Sequence, residues 1–206
     1  MKTHKHFYLI LFFPLFMCGI QAQTTQTQTN QTIFRDNVRF GGFGGPAFIV
    51  STIDGQLALF GGGRGGGSAI FASGQAIHFG GGGYRLLVPI KSTSSGIETE
   101  LALSYGVFEL EYVQNRRRAI HLSWALSLGS GSASEATDLE TGSLTNESRF
   151  FLIEPGIAIN VNLAPNVRAR AAAGYRLVSG TSVPNYSDQS LSDPSLMISF
   201  LFGLWP

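Results

Sequence analysis

Residues 119–129 read AIHLSWALSLG, and two interleaved sets of side chains emerge from them. The even positions are Ile120, Leu122, Trp124, Leu126 and Leu128; the odd ones are His121, Ser123, Ala125, Ser127 and Gly129. Successive side chains of a strand point to opposite faces, so this is a strand with one greasy face and one small, polar face.

The rule repeats toward the C-terminus. In FFLIEPGIAINVNL (150–163), Phe151, Ile153, Ile157, Ile159, Val161 and Leu163 oppose Glu154, Gly156, Ala158, Asn160 and Asn162. After a tight turn at Ala164-Pro165-Asn166, Val167, Ala169, Ala171, Ala173, Tyr175 and Leu177 oppose Arg168, Arg170, Ala172, Gly174 and Arg176. The last strand sets Leu196, Ile198, Phe200, Phe202 and Leu204 against Met197, Ser199, Leu201, Gly203 and Trp205. A soluble sheet turns its apolar face inward and shows Lys, Glu, Thr and Gln to water. Here the opposing face is Gly, Ala, Ser and Asn with a few ionic groups, which suits a crowded lumen. The pattern predicts an all-β fold, an up-and-down antiparallel transmembrane β-barrel with lipid-facing apolar positions. A soluble secreted binding barrel is the alternative, and it would bury Leu122, Trp124, Leu126, Phe200 and Phe202 as its core.

Composition agrees. The 206 residues amount to one domain, with 26 Gly, 16 Phe and 13% charged residues, against about 25% charged in ordinary soluble chains. Residues 1–22 have a basic start (Lys2, Lys5), an apolar run from Phe7 to Ile20 and Ala22 at a cleavage position, the pattern of an export signal. Cys18, the only cysteine, leaves with that segment. A lipidated Cys18 is the other processing route, with Leu15 correctly placed but Phe16 and Met17 too bulky for that signal. The mature chain then has no disulfide. Losing Lys2 and Lys5 leaves twelve basic against thirteen acidic residues, so nothing favours nucleic acid as a partner. Residues 23–32, QTTQTQTNQT, read as a polar tether, and the barrel is assigned to residues 33–206. No later stretch offers the ~18 apolar residues of a spanning helix.

The glycine runs FGGGRGGGSAIF (60–71) and FGGGGYR (79–85) are not phosphate loops. No lysine lies between Lys5 and Lys91, and no helical period follows Gly67. Neither this nor any other motif calls for a cofactor or a metal. Leu57, Leu59, Phe60, Ile70, Phe71, Ile77 and Phe79 are woven through the glycines, which argues against a linker. The glycines instead let strands coil tightly while large neighbours fill a narrow interior.

Connections alternate in length: Thr181–Asp193 long, Ala164–Asn166 short, Ser132–Asn146 long, Gln114–Arg117 short, Lys91–Gly96 intermediate. Long loops outside and short turns inside put the C-terminus in the periplasm. Turns near Ser73-Gly74-Gln75, within the glycine run and at Asp54-Gly55 bring the count to nine. With both ends on one side the number is even, so 8 to 10 strands are expected. FRDNVRFGG (34–42) supplies the tenth, and ten is the count adopted.

The export signal, the alternating strands and the aromatic end MISFLFGLW resemble the small outer-membrane β-barrel proteins of Gram-negative bacteria. GGFGGP, GGGYRL, FELEY and EPGIAINVN…YRLVSG are similar to the roughly 200-residue barrels of that class. The resemblance covers residues 33–206. It implies outer-membrane lipid and the barrel-assembly machinery as partners, while naming no ligand and no chemistry. Pro206 after Trp205 departs from the usual terminal aromatic residue.

If even positions from Phe108 to Tyr112 face lipid, Glu109 and Glu111 enter the lumen with His121, Glu154, Arg168, Arg170 and Arg176. Leu101, Leu103 and Tyr105 are odd-numbered, so a bulge near Gly106 is needed to keep them on the lipid face. Buried charges must be paired or solvated, and an ionic ladder plugging a narrow barrel follows, with Glu154 expected opposite Arg176. The arginines 116–118 read as a solvated turn. His121, Ser123 and Glu135 have an order and spacing that resembles outer-membrane lipid A deacylases, in which a histidine activates the serine and a glutamate orients it. The asparagine those enzymes carry after the serine is missing here, and the assignment turns His121 and Ser123 inward. The chain is therefore read as a non-enzymatic barrel.

Overall fold

The computed structural model describes residues 38–205 except 95–96 and 139–142; the expected export signal and tether lie outside the described residues. Ten strands form one antiparallel sheet: β1 Arg39–Ile53, β2 Gln56–Ile70, β3 Ala76–Leu86, β4 Ile90–Ser94, β5 Ile97–Val113, β6 Ile120–Asp138, β7 Ser143–Ala164, β8 Val167–Tyr175, β9 Leu177–Ser179 and β10 Pro194–Leu204. The sheet closes on itself, because β1 pairs with β10 and β3 pairs with β5. β3 and β4 both lie along β5, separated by a break that contains Pro89, which has no N–H to donate. β8 and β9 both lie along β7, in one unbroken register across the gap at Arg176. Ten strands are present as expected, but they are not the same ten, and they occupy eight positions around the ring: Lys91 to Ser94, expected within a connection, lies in β4. Arg39 to Gly42 is the start of β1 rather than a strand of its own, and no turn interrupts the glycine run, which is the middle of β2.

One end of the barrel carries the turns at 71–75 and 114–119, the Pro165-Asn166 turn and both described termini. The other carries the β1–β2 turn and the remaining connections. Asp54 and Gly55 both have positive φ (50° and 74°), the conformation a two-residue hairpin needs to match strand twist. Much of the expected 132–146 loop is sheet: β6 continues to Asp138 and β7 resumes at Ser143. From Ser132 to Glu135 the two-residue period holds, with Ala133 and Glu135 buried, before the register shifts at Glu135 and Ala136.

Burial is inverted relative to a soluble barrel. Leu122, Trp124, Leu126, Phe200 and Phe202 are 41–54% exposed, whereas Ser123 and Ser199 are fully buried. The soluble alternative required the reverse. Throughout β5 the odd positions from Leu101 to Val113 are buried, and its pairing with β3 and β6 runs without a register shift. The bulge expected near Gly106 is therefore absent. Leu101, Leu103 and Tyr105 face inward because the loop-end half of the interior is itself apolar, a core they share with Ile49, Phe60 and Phe150.

Where β2 and β3 cross, glycine is required on both strands. Gly66 and Gly80 are directly paired. A Cβ on Gly66 would sit 2.1 Å from the Phe79 carbonyl oxygen, and one on Gly80 would sit 2.1 Å from that of Gly65. Gly83 has open space around it. Gly66→Ala is expected to destabilise the barrel by about 1–3 kcal/mol, the usual cost of overpacking, with Gly83→Ala near neutral. Urea titration of vesicle-folded protein checks this, and equal stabilities would refute the close approach.

Candidate functional site

The turn-end half of the lumen is ionic, and its centre is Glu111 on β5. Two-residue alternation brings Glu109 and Glu111 inward from β5, Arg64 from β2, His78 from β3, Ser123 from β6, Asn160 from β7 and Arg170 from β8. Arg64 Nη2 donates to Glu109 Oε2 at 2.5 Å and to Glu111 Oε2 at 3.1 Å. Arg170 Nε donates to Glu111 Oε1 at 3.1 Å. Ser123 Oγ donates to that same oxygen and accepts from Asn160 Nδ2 at 2.8 Å. His78 Nδ1 stands 3.6 Å from Glu111 Oε2. Two carboxylates and two guanidiniums are thus matched inside the wall, the condition under which buried charge is tolerated.

Below this layer Phe43, His78 and Trp205 form an aromatic floor with ring centroids 5.1–5.5 Å apart. Arg168 lies over the Trp205 ring at 4.0 Å, and its Nε donates to Asn162 Oδ1 at 2.9 Å. His121 Nδ1 is 3.2 Å from the Arg118 carbonyl oxygen. Above the layer the segment 180–193 folds back over the lumen and inserts Val183, Tyr186 and Leu191, each at most 4% exposed. The Asp188 carboxylate accepts the N–H groups of Gly180 (3.0 Å) and Thr181 (2.7 Å), and Asp54 N–H donates to the Ser190 carbonyl at 3.0 Å. Burial, with the Glu135 carboxylate nearby, raises the Tyr186 phenol above its ordinary pKa. This connection is a lid, which its loop-like Ser, Asn and Asp content did not signal. Protease should accordingly spare it.

Of the residues expected in the lumen, Glu109, Glu111 and Arg170 meet in one cluster. Arg168 and His121 belong to the floor, and Glu154 and Arg176 stand apart. The strand register does set Glu154 opposite Arg176, but no ion pair joins them. Glu154 accepts from Ser195 Oγ at 2.6 Å. The Arg176 side chain crosses beneath the lid to Ser51 Oγ (2.9 Å) and the Leu191 carbonyl (3.3 Å), lying over the Phe60 ring. Arg64 and His78 were not anticipated. The even-numbered sequence Ala58, Phe60, Arg64, Ser68 would have revealed Arg64 had the glycine run been read as strand.

The hydrolytic triad is not assembled. Ser123 bonds to Glu111 and Asn160, and His121 to a backbone carbonyl, while Glu135 bonds to Thr99 (2.6 Å) and Asn185 at the opposite end. Twelve residues of strand separate Ser123 from Glu135 by about 40 Å.

No protein-family model and no curated protein matches the chain. Solved structures do. Ail, the attachment invasion locus protein of Yersinia pestis, superposes with a TM-score of 0.53 at 14% identity, covering 82% of this chain and 100% of Ail. Ail in complex with the heparin analogue sucrose octasulfate gives 0.53 at 13% identity over the same shares. Neisserial surface protein A gives 0.52 at 13% identity, covering 82% of this chain and 99% of that one. At such identities the likeness is one of fold: the closed small barrel is common to all of them.

Proposed function

We propose that this chain, an integral β-barrel of the Gram-negative outer membrane, is a closed, non-enzymatic barrel with a structural or ligand-binding role. One observation carries the reading: the lumen is occupied in three successive layers, the aromatic floor, the salt-bridged cluster around Glu111 and the apolar core beneath the lid. Residues 1–22 export the chain, and the aromatic end at β10 is the segment offered to the barrel-assembly machinery. Ser123 is a structural hydrogen-bonding group, so lipid-extract hydrolysis is not expected. A barrel of this fold solved with a sulfated sugar bound supports a role in binding.

In planar bilayers the purified barrel is expected to show no conductance steps. A variant in which residues 181–193 are replaced by a short Gly-Ser linker should also remain silent, because the Arg64–Glu109–Glu111–Arg170 layer still blocks the path. Discrete conductance from the unaltered protein would sink the closed-lumen reading.

A further inference from the structure

We infer that the periplasmic mouth of the barrel holds an anion-binding site for a phosphoryl group, in the cavity bounded by Arg116, Arg117, Arg168, Asn162 and Trp205. The site is separate from the salt-bridged layer and does not depend on whether the lumen conducts. The cavity has a volume of about 250 Å³, and none of the described residues lining it is acidic. Arg116 and Arg117 also line an adjoining cavity of about 370 Å³, where Arg39 is the third arginine. Four guanidinium groups therefore surround two neighbouring recesses without a carboxylate among the described residues lining either.

Arg168 supplies the independent observation. It is 2% exposed, and its Nη1 has no hydrogen-bond partner. The groups it touches are neutral, the Asn162 amide and the Trp205 ring; Glu111 acts on it only through space, and no ion pair includes it among the described residues. Arg64 and Arg170, at similar depth, each have a carboxylate. A buried cation with no carboxylate in contact is costly, and a guanidinium fork matches the oxygens of a phosphoryl group. The rim is preorganised as well. Arg117 Nη2 donates to the Ala72 carbonyl (3.2 Å), Arg116 N–H to that of Gly74 (2.9 Å), and Asn162 Nδ2 to the carbonyls of Arg116 and Arg118 (3.0 Å each). Desolvation, together with the positive charges of Arg117 and Arg39, lowers the Arg116 pKa below its usual value, which registers the crowding of like charge.

Two sources carry this group: the headgroup of a phospholipid in the inner leaflet, and a soluble periplasmic phosphate. Trp205 reports on both, since the Arg168 guanidinium lies 4.0 Å from its ring and Trp124 is the only other tryptophan. The experiment uses the Trp124→Phe protein folded in a phosphate-free maltoside. Inorganic phosphate and pyrophosphate are titrated in, and separately the protein is placed in nanodiscs of phosphatidylglycerol or phosphatidylcholine. Saturable, salt-sensitive change in Trp205 emission with the free anions assigns the site to a soluble ligand. No response to them, with a shift specific to phosphatidylglycerol, assigns it to a lipid headgroup. Arg117→Gln, at an exposed turn position that leaves the wall intact, is expected to weaken either response about tenfold, as loss of one charged hydrogen bond does. Absence of both responses, or a response unchanged by Arg117→Gln and by Arg168→Met, overturns the assignment.

Discussion

Glu111→Ala is expected to lower the stability of the folded barrel by about 3–5 kcal/mol, the range observed when one partner of a buried charge pair is removed. Glu111 is 1% exposed and is the one carboxylate that both Arg64 and Arg170 share, while also accepting from Ser123. Its removal leaves Arg170 without an anion, whereas Arg64 keeps Glu109. The loss should therefore be largely recovered in Glu111→Leu/Arg170→Met, which removes both charges and fills the space. Glu154→Ala, at a half-buried residue held by a single serine hydroxyl, should cost only about 1 kcal/mol. Urea titrations in vesicles, followed by the electrophoretic shift of the folded form, give these differences. A Glu111→Ala barrel within about 1 kcal/mol of the parent would show that the cluster is not held by this carboxylate.

Leu126→Arg tests the other side of the wall. Leu126 is 41% exposed, between Trp124 and Leu128 on the same outward face of β6. Arginine there is expected to cost about 2–4 kcal/mol if the position lies near the bilayer midplane, falling toward zero at the interface. Ser134 is outward on the same strand but stands beyond the belt, so Ser134→Arg should be nearly neutral. The pair of substitutions measures depth as well as cost. Equal effects at the two positions would mean that no lipid boundary falls between them, and an unaltered protein soluble without detergent would remove the membrane altogether.

The faces of β6, β7, β8 and β10 were legible because their alternation carries a single meaning within the belt: large apolar residues face lipid, small or ionic ones the lumen. Leu101, Leu103 and Tyr105 broke the inference that apolar means outward. Above the belt the outer surface meets water and the interior is covered by the lid, so the same residue types reverse their facing. Arg64 was hidden by its neighbours, since three glycines on each side have no side chains with which to declare a face. The register across the Pro165 turn correctly set Glu154 opposite Arg176, and Asn162 does pair with Arg168. Backbone register did not fix the partners, because a long arginine side chain reaches Ser51, over a hundred residues away in sequence. The lid was illegible for a related reason: three anchoring side chains, Val183, Tyr186 and Leu191, have no period, and only the cavity beneath them gives them a place.

The seam of the barrel is its pairing of first strand with last, from Gly42 with Leu204 to Ser51 with Ser195. In an exported chain that forms its sheet only at the outer membrane, β1 cannot be covered until β10, at the far end of the sequence, is in place. Until then the free backbone groups of β1 are an open template for any other strand. Its glycine-rich first half offers such strays little side-chain surface to hold. Closure brings together the most distant parts of the sequence and must meet the entropy of that long loop before its hydrogen bonds repay it. The eleven residues of β10, Pro194–Leu204, thus decide when an open sheet becomes a cylinder. Truncation within them should leave a chain able to form hairpins and unable to finish.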